Sequence, residues 1–356
     1  MFRSFTIKNF RCFHNFSMEP LERVNLIAGK NNTGKTSLLE ALFLHIGSNN
    51  PALPLRINAF RGIEQMAIEA DEMWGWLFFS KRIEETIELT SLSEDNIRRV
   101  LRIFLTEPEK AQLAASGNGS ATSSKTIESI TTAVGPHDLT LQYEDTGGQS
   151  GTSRAFIVSD GVKTERAPLT PSPVGVFLST RVRFPTEDAE RFSKLDAIGR
   201  QNEVLTTLSF LEPRLKRLAV LVRGGAPMIN GDIGVGELVP LPLMGEGVVR
   251  LASIVLAIAN AQNGTVLIDE VENGLHYSVM VNVWKAIAFA ARQSNTQIFA
   301  TTHSWECIRA AHEAFSESDI YDFRLHRLDR ADSEIRAVTY DQDMLAAADV
   351  SDLEVR

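Results

Sequence analysis

The run GKNNTGKT at 29–36 carries the densest chemistry in the sequence, because Gly29, Gly34, Lys35 and Thr36 fill the pattern G-x-x-x-x-G-K-[ST] completely. Glycines let successive backbone N–H groups crowd toward one point, and a helix starting at the loop adds the positive end of its dipole. Together these suit a triphosphate. Gly29, Asn31, Asn32, Thr33, Gly34, Lys35, Thr36 and Ser37 are therefore the candidate nucleotide-binding set. In such a loop the lysine reaches the β and γ phosphates and the threonine hydroxyl is a ligand for Mg²⁺.

A second half of such a site stands at TVLIDE, 265–270, an apolar run ending in two carboxylates. A strand buried on both faces delivers the residues at its C-terminal end to the crevice where open α/β sheets bind ligands. Asp269 is placed to hold Mg²⁺, directly or through water, and Glu270 to orient or deprotonate an attacking water. The plainer alternative is a solvated pair capping the helix that follows. QIFATTHSW, 297–305, repeats the pattern, so His303 falls just beyond another buried strand on the same sheet edge. There an imidazole donates to a phosphate oxygen or bridges to the attacking water; a cap or a packed ring is the alternative. Lys35, Glu270 and His303 are the catalytic candidates, with Thr36 and Asp269 the Mg²⁺ ligands. The other histidines show no metal-ligand spacing, and Cys12 and Cys307 lie too far apart in sequence for a zinc site, so no metal beyond Mg²⁺ is argued.

These residues need elements to position them. Short strands read at 5–7 and 24–28, and Leu38, Leu39, Leu42, Phe43 and Ile46 recur at helical spacing over 36–46, so the glycine loop joins a strand to a helix. The middle of the chain differs. Runs at 86–92, 98–105, 139–143 and 154–158 lean to β and are broken by turn-forming stretches at 93–96, 115–124 and 145–153, which predicts an antiparallel meander with a mobile loop near 112–125. Residues 187–222 read as helix, followed by a Gly-rich connection at 224–236. From there helix (248–262), strand (266–268), helix (275–293), strand (297–301), helix (304–315) and a closing hairpin (322–340) alternate, which argues for a parallel α/β sheet. No repeat of fixed period and no sustained heptads occur, so a long coiled-coil arm is excluded.

Composition narrows the class further. The 356 residues, 44% hydrophobic and 23% charged with 23 Gly and 13 Pro, are those of an ordinary globular protein, not a collagen-like, disordered or disulfide-framed one. Two cysteines fit a reducing cytosol, the N-terminus lacks a secretory pattern, and the longest apolar stretch, 251–261, is far short of the ~20 residues a bilayer span needs. A cytoplasmic location without membrane association is expected. The net charge of −9 argues against a general grip on nucleic acid. RVRF at 181–184 with Arg191, Lys194 and Arg200 is the best local basic stretch, to face DNA or a partner, or to be a solvated helix face neutralised by Asp188, Glu190 and Asp196.

The glycine loop, the acidic pair on an apolar strand and the histidine after the next strand, in this chain order, resemble the ABC-type ATPase superfamily. The opening FTIKNFRCF leading into VNLIAGKNNTGKTSLLEAL is most similar to its SMC-like and RecF-like branch, and above all to the overcoming-lysogenisation-defect (OLD) group of defence ATPases. The resemblance implies an α/β P-loop NTPase head: a core of 1–60 and 174–356 around a mostly parallel sheet, a β-rich lobe at 61–173 and a helical insertion. It also implies two ATP molecules held between head-to-tail subunits by a signature loop. That loop matches LPLMGEGVVRLASIVLAIAN at 241–260, where Gly245, Glu246 and Gly247 would meet the partner's γ-phosphate. The usual serine is absent, with Met244, Gly245 or Glu246 where it would fall. A glycine turn before a core helix is the alternative. NGLH at 273–276 matches the loop coupling the two sites, or is a helix-start turn. Arg11 stands where SMC-like proteins place a phosphate-facing arginine, or is an exposed arginine between two aromatics. The glutamine of the loop joining the lobes has no recognisable counterpart; neither Gln65 nor Gln142 has the right context.

The function so implied is an ATPase that binds ATP and Mg²⁺, forms a homodimer or higher homo-oligomer, and controls DNA processing or a separate effector, a nuclease or toxin, in prokaryotic antiphage defence or DNA repair. OLD-like proteins commonly carry a Toprim nuclease after the ATPase, and none fits after residue 315. The tail hairpin around 331–334 is then a docking element for the separate chain. The alternative is a nucleotide-gated scaffold that sequesters a toxic effector with little turnover. A transporter subunit is disfavoured by the SMC-like N-terminus and the missing glutamine loop.

Overall fold

The computed structural model describes residues 1–62, 74–107, 137–158, 161–169, 173–180, 185–331, 334–351 and 355. In chain order the elements are β1 (Phe2–Phe10), β2 (Phe13–Met18), β3 (Val24–Ala28), α1 (Lys35–Ile46), α2 (Leu53–Phe60), β4 (Ile87–Ser93), β5 (Arg98–Thr106), β6 (Asp138–Asp145), β7 (Ser150–Val158), β8 (Gly161–Glu165), β9 (Gly175–Leu178), α3 (Pro185–Ala197), α4 (Gln201–Leu208), β10 (Arg217–Arg223), β11 (Ala226–Asp232), β12 (Val239–Pro240), α5 (Glu246–Asn260), β13 (Thr265–Ile268), α6 (Met280–Gln293), β14 (Gln297–Thr301), α7 (Trp305–Ser316), β15 (Phe323–Ala331), β16 (Glu334–Tyr340) and α8 (Gln342–Val350). The expected small-residue loop at 112–125, the RVRF run, Gln65 and the centre of the 331–334 turn lie outside the described residues.

The central sheet has the order β16-β15-β3-β14-β13-β9, parallel throughout except for β16 at one edge. Its inner strands VNLIA, TVLI and QIFAT are buried at every position, as strands covered on both faces must be. Alternate side chains then feed two separate cores. Val24, Leu26, Ala28, Val266, Ile268, Ile298 and Ala300 pack with α3, α4, α5, α6 and α7. Ile27, Leu267 and Phe299 face the other way, onto α1 and the inner face of a second sheet.

That second sheet is seven-stranded and antiparallel, in the order β2-β1-β4-β5-β6-β7-β8. Its strands bury alternate residues, such as Phe5 and Ile7 in β1, Ile87 and Leu89 in β4, and Leu139 and Leu141 in β6, the pattern of a sheet with one face on a core. The expected meander is present, but its first two strands come from residues 2–18, so both sides of the expected boundary at 60/61 share one sheet. The P-loop helix α1 is sandwiched between the sheets, touching β4 on one side and β9, β13 and β14 on the other. This explains why ten of its twelve residues are buried, Glu40 and His45 included.

One stretch departs from expectation. Residues 187–222 are helical only through α3 and α4; RLAVLVR is strand β10, and the supposed connection contains β11. Arg223 pairs with Ala226, and Gly224 and Gly225 between them have φ of 59° and 84°. A two-residue turn with both central residues left-handed closes a hairpin with the right twist, and two glycines adopt it at no steric cost. No described helix is long and apolar enough to cross a membrane.

Candidate active site

The cradle forms because β3 stops at Ala28 and the chain must turn sharply into α1. Gly29 (φ 143°) and Gly34 (φ 92°) make the turn. A Cβ on Gly29 would lie 2.7 Å from the Leu328 carbonyl oxygen, and one on Gly34 2.8 Å from Cys12 Sγ and 2.9 Å from Phe13 Cζ, so both the backbone angle and the space require glycine. Asn32 also has a positive φ (64°), and Asn31 is exposed beside it. Thr33, buried, donates through Oγ1 to the Lys30 carbonyl at 2.9 Å. The first α1 hydrogen bond runs from Leu38 N–H to Gly34 O (2.8 Å), so the amides of Lys35, Thr36 and Ser37 precede it.

Lys35 Nζ donates to the carbonyls of Gly29 (2.6 Å) and Lys30 (3.0 Å). Burial pushes its ammonium below the ordinary lysine range, and Glu272, Asp269 and Glu270 act in the opposite direction. Register brings the acidic pair here. β13 and β14 run parallel with Ile268 beside Ala300, which sets Asp269 next to Thr301. Asp269 Oδ1 accepts from Thr301 Oγ1 at 2.8 Å and from Thr36 Oγ1 at 3.1 Å. Thr301 Oγ1 also accepts from the Glu270 N–H at 2.8 Å, and Glu270 itself has a φ of 47°.

These groups fit Mg²⁺ and a triphosphate. Two neighbouring oxygen ligands of an octahedral ion with bonds of about 2.1 Å lie about 3 Å apart, the spacing of Thr36 Oγ1 and Asp269 Oδ1. Among the described residues no cluster of three or more His, Cys, Asp or Glu forms a metal group. A two-ligand arrangement suits a cation that keeps waters and takes its remaining ligands from phosphate oxygens.

His303 lies past β14 as expected, with its side chain 54% exposed. Its partner was not foreseen. Glu272 Oε1 accepts from the His303 backbone N–H (2.9 Å) and from Thr302 Oγ1 (2.8 Å), and lies 3.2 Å from His303 Nδ1. Arg250 was also missed. Its buried guanidinium donates from Nη2 to the carbonyls of Asp269 (2.9 Å) and Glu270 (3.1 Å), fixing the backbone that carries both carboxylates. An arginine inside the apolar run VVRLASIVLAIAN was the available signal, since arginine is rarely buried without a partner. Glu272 gave none, because its contacts depend on a neighbouring strand.

Arg11 is not an exposed arginine between aromatics. Its side chain is 10% exposed and its Nε lies 2.7 Å from Glu40 Oε2, while Nη2 donates to Asn58 Oδ1 at 3.2 Å. Arg61 grips the same carboxylate at 2.6 and 2.9 Å and donates to Ser37 Oγ at 3.1 Å. Glu40 on α1 thus carries two arginines directly beneath the cradle. Within the basic stretch, Arg191 pairs with Glu187 and Asp188 and Arg200 with Glu203, as for a helix surface.

Gly245 caps α5 with φ 112° and ψ 150° and no side-chain hydrogen bond. A Cβ there would meet nothing within 4 Å. Gly274, φ 79°, leaves room for Glu246, whose Oε1 would lie 2.8 Å from a Cβ at 274, and Gly247 approaches Leu275. The segments matched to the signature loop and to the coupling loop, 245–247 and 273–276, therefore pack together, but the structure does not bring 245–247 into contact with the cradle of the same chain.

A glycine cradle between strand and helix, with a hydroxyl–carboxylate junction at the edge of a mostly parallel sheet, defines a P-loop NTPase with an α/β fold. The chain belongs to the AAA ATPase domain family, whose model matches residues 1–134 and 188–308. It is similar to a Helicobacter pylori protein described as an ATP/GTP phosphatase, 25% identical over 358 residues, covering 96% of this chain and 95% of that one. A 48-residue segment is 46% identical to an uncharacterized protein of Methanocaldococcus jannaschii, covering 14% of this chain and 22% of that protein. Among solved structures, the fold is similar to an SMC head bound to the C-winged helix domain of ScpA, with a TM-score of 0.52 at 11% identity over 97% of this chain and 99% of that one.

Proposed function

We propose that this ATPase-domain protein hydrolyses ATP with Mg²⁺, that two copies close head to tail around nucleotide, and that the cycle controls DNA processing or a separate effector, a nuclease in the first place. We further propose a cytoplasmic, OLD-like role in prokaryotic antiphage defence or DNA repair. The observation that carries the reading is the junction of Thr36, Asp269 and Thr301, which ties the P-loop helix to two strand ends through one carboxylate. The end-to-end similarity to the Helicobacter pylori protein supports it.

In this reading Lys35 exchanges its carbonyl partners for the β and γ phosphates, and the amides at the start of α1 orient them. Thr36 and Asp269 hold Mg²⁺, which supplies charge neutralisation at the phosphates. Glu270 aligns the attacking water and takes its proton, while His303 contacts the γ-phosphate. Gly245, Glu246 and Gly247 of a second copy complete that end of the site. Asn31, Asn32, Thr33 and Ser37 line the loop, and Arg11, held by Glu40, supports α1 from below.

A second reading is favoured by the uncapped Gly245 and the missing signature serine: a nucleotide-gated scaffold that holds a toxic effector with little turnover. The two separate in Glu270→Gln, expected to bind ATP yet lose about 100-fold or more in kcat. Light scattering on that variant should show a step to dimer or larger with ATP and Mg²⁺. An unchanged mass with ATP bound would defeat closure by this chain alone, and an effector complex that persists at full function without turnover would favour the scaffold.

A further inference from the structure

We infer that Arg61 is a positioning residue: from the end of α2 its guanidinium braces the first turn of α1 through Ser37 and Glu40, and so holds the Thr36 hydroxyl where Mg²⁺ is to bind. The inference rests on the catalytic reading above for the meaning of Thr36, but not for the brace itself.

The start of α1 has no cap of its own. Gly34 makes no side-chain cap, and no acidic residue stands in the first turn. A phosphate-binding helix start has to stay open, because a capping side chain would occupy the amides that the anion needs. That turn is also the least covered part of the helix: Lys35 and Thr36 are half-buried, whereas Ser37 to Ile46 are buried throughout. What steadies such a turn must grip it from the side. Ser37 and Glu40 are three residues apart and so share one helix face. Arg61 spans them, with Nε on Glu40 Oε1 at 2.6 Å and Nη2 on both Glu40 Oε2 (2.9 Å) and Ser37 Oγ (3.1 Å).

Neutralising Glu40 does not require Arg61. The Arg11 guanidinium already lies against the same carboxylate, with Nε 2.7 Å from Oε2, and it is the more deeply buried of the two arginines. One carboxylate calls for one cation, and a second near the positive end of a helix dipole is repelled. The first turn therefore gains from the shape of Arg61 rather than from its charge. A planar fork holds two acceptors at a fixed spacing, which an ammonium on a flexible stem does not. Arg61 is itself set by α2, whose C-cap it forms, with its N–H donating to Asn58 O at 3.0 Å. Asn58 Oδ1 accepts from Arg11 Nη2 at 3.2 Å, so both arginines are tied to the same short helix.

The test is residue-resolved amide hydrogen exchange on the full chain without nucleotide. Leu38 N–H, which makes the first α1 hydrogen bond, should exchange about 10-fold faster or more in Arg61→Ala, while Leu42 to Ile46 change less than about twofold. Arg61→Lys keeps the charge without the fork, and Ser37→Ala keeps the fork without its hydroxyl; each should speed Leu38 by about threefold. Arg61→Ala combined with Ser37→Ala should be no faster than Arg61→Ala alone. In turnover, Arg61→Ala should raise the Mg²⁺ concentration for half-maximal rate by about 10-fold, with kcat at saturating Mg²⁺ within about threefold of wild type. Unchanged Leu38 exchange in Arg61→Ala, or equal acceleration along the whole helix, would overturn the inference. So would wild-type exchange in Arg61→Lys, single-variant effects that multiply, or an Mg²⁺ requirement that does not move. Should Arg61→Ala not fold, Arg61→Lys and Ser37→Ala decide it. If the wild type does not turn over ATP, the catalytic reading fails and the exchange rates still judge the brace.

Discussion

The helices α1 and α5 both start at a glycine, and the two starts differ in what surrounds them. At Gly29 and Gly34 the place of a side chain is already taken: a carbonyl of β15, the Cys12 thiol and the Phe13 ring stand where a Cβ would go. Gly245, at the start of α5, has an equally unusual backbone and nothing within 4 Å of the same point. The first is a socket whose shape is complete within one chain. The second is a helix end with open space around it, and its neighbour is another loop, 273–276, rather than the cradle. In the proposed reading the cis half of the nucleotide site is built within one chain, while the residues proposed for its trans half, 245–247, stand at an open helix start.

The largest test of this contrast is Lys35→Ala, which should abolish ATP binding or turnover, read by nucleotide titration and phosphate release; an undiminished rate would remove the cradle from the site. Acid comes next. His45, packed between α1 and β4 with Nε2 on Ser91 Oγ, and His326, between Asn25 and Thr339, are both pushed by burial from 6.5 down to about 3. Their folded values lie below the unfolded one, so the unfolded chain takes up protons that the folded chain refuses. Stability is therefore full above about pH 6.5 and is lost as pH falls toward 3, by up to about 1.4 kcal/mol per pH unit for each histidine. Denaturant midpoints between pH 7 and 5 should drop accordingly, and a flat profile would show that both rings are solvated.

The glycines themselves sharpen the comparison. Gly34→Ala combines a left-handed backbone with a clash and should cost about 2–4 kcal/mol of stability. Gly245→Ala carries only the backbone term, about 1–3 kcal/mol. If the open end works in trans, the second variant should fold and bind ATP yet fail to change its mass with nucleotide. Equal thermal losses in both would erase the distinction between socket and open end.

Much of this site is legible along the chain because it is local. GKNNTGKT needs only the strand before it and the helix after it, and VLIDE and QIFATTHSW each carry their own strand. Harder to see was the β10–β11 hairpin, since RLAVLVR follows two true helices and its glycine pair reads equally well as a linker. Pairing at long range was invisible. β1 joins β4 across some eighty residues, drawing the N-terminus into the lobe's sheet, and no local pattern encodes that partner. Arg61 and Glu40, with Arg11, form their cluster only because α1 and α2 fold back beneath the loop.

What the sequence determined by itself was which residues could do the chemistry: the phosphate cradle, the acidic strand end and the histidine, each written in a few consecutive positions where residue type and backbone angle leave little choice. What only the tertiary structure decided was who holds them. The register of β13 against β14 put Thr301 on Asp269 and Glu272 on His303, and the seating of α5 put Arg250 on the carbonyls of the acidic pair. Hydrogen bonds act over about 3 Å, and only folding brings positions from 19 to 32 residues apart within that reach.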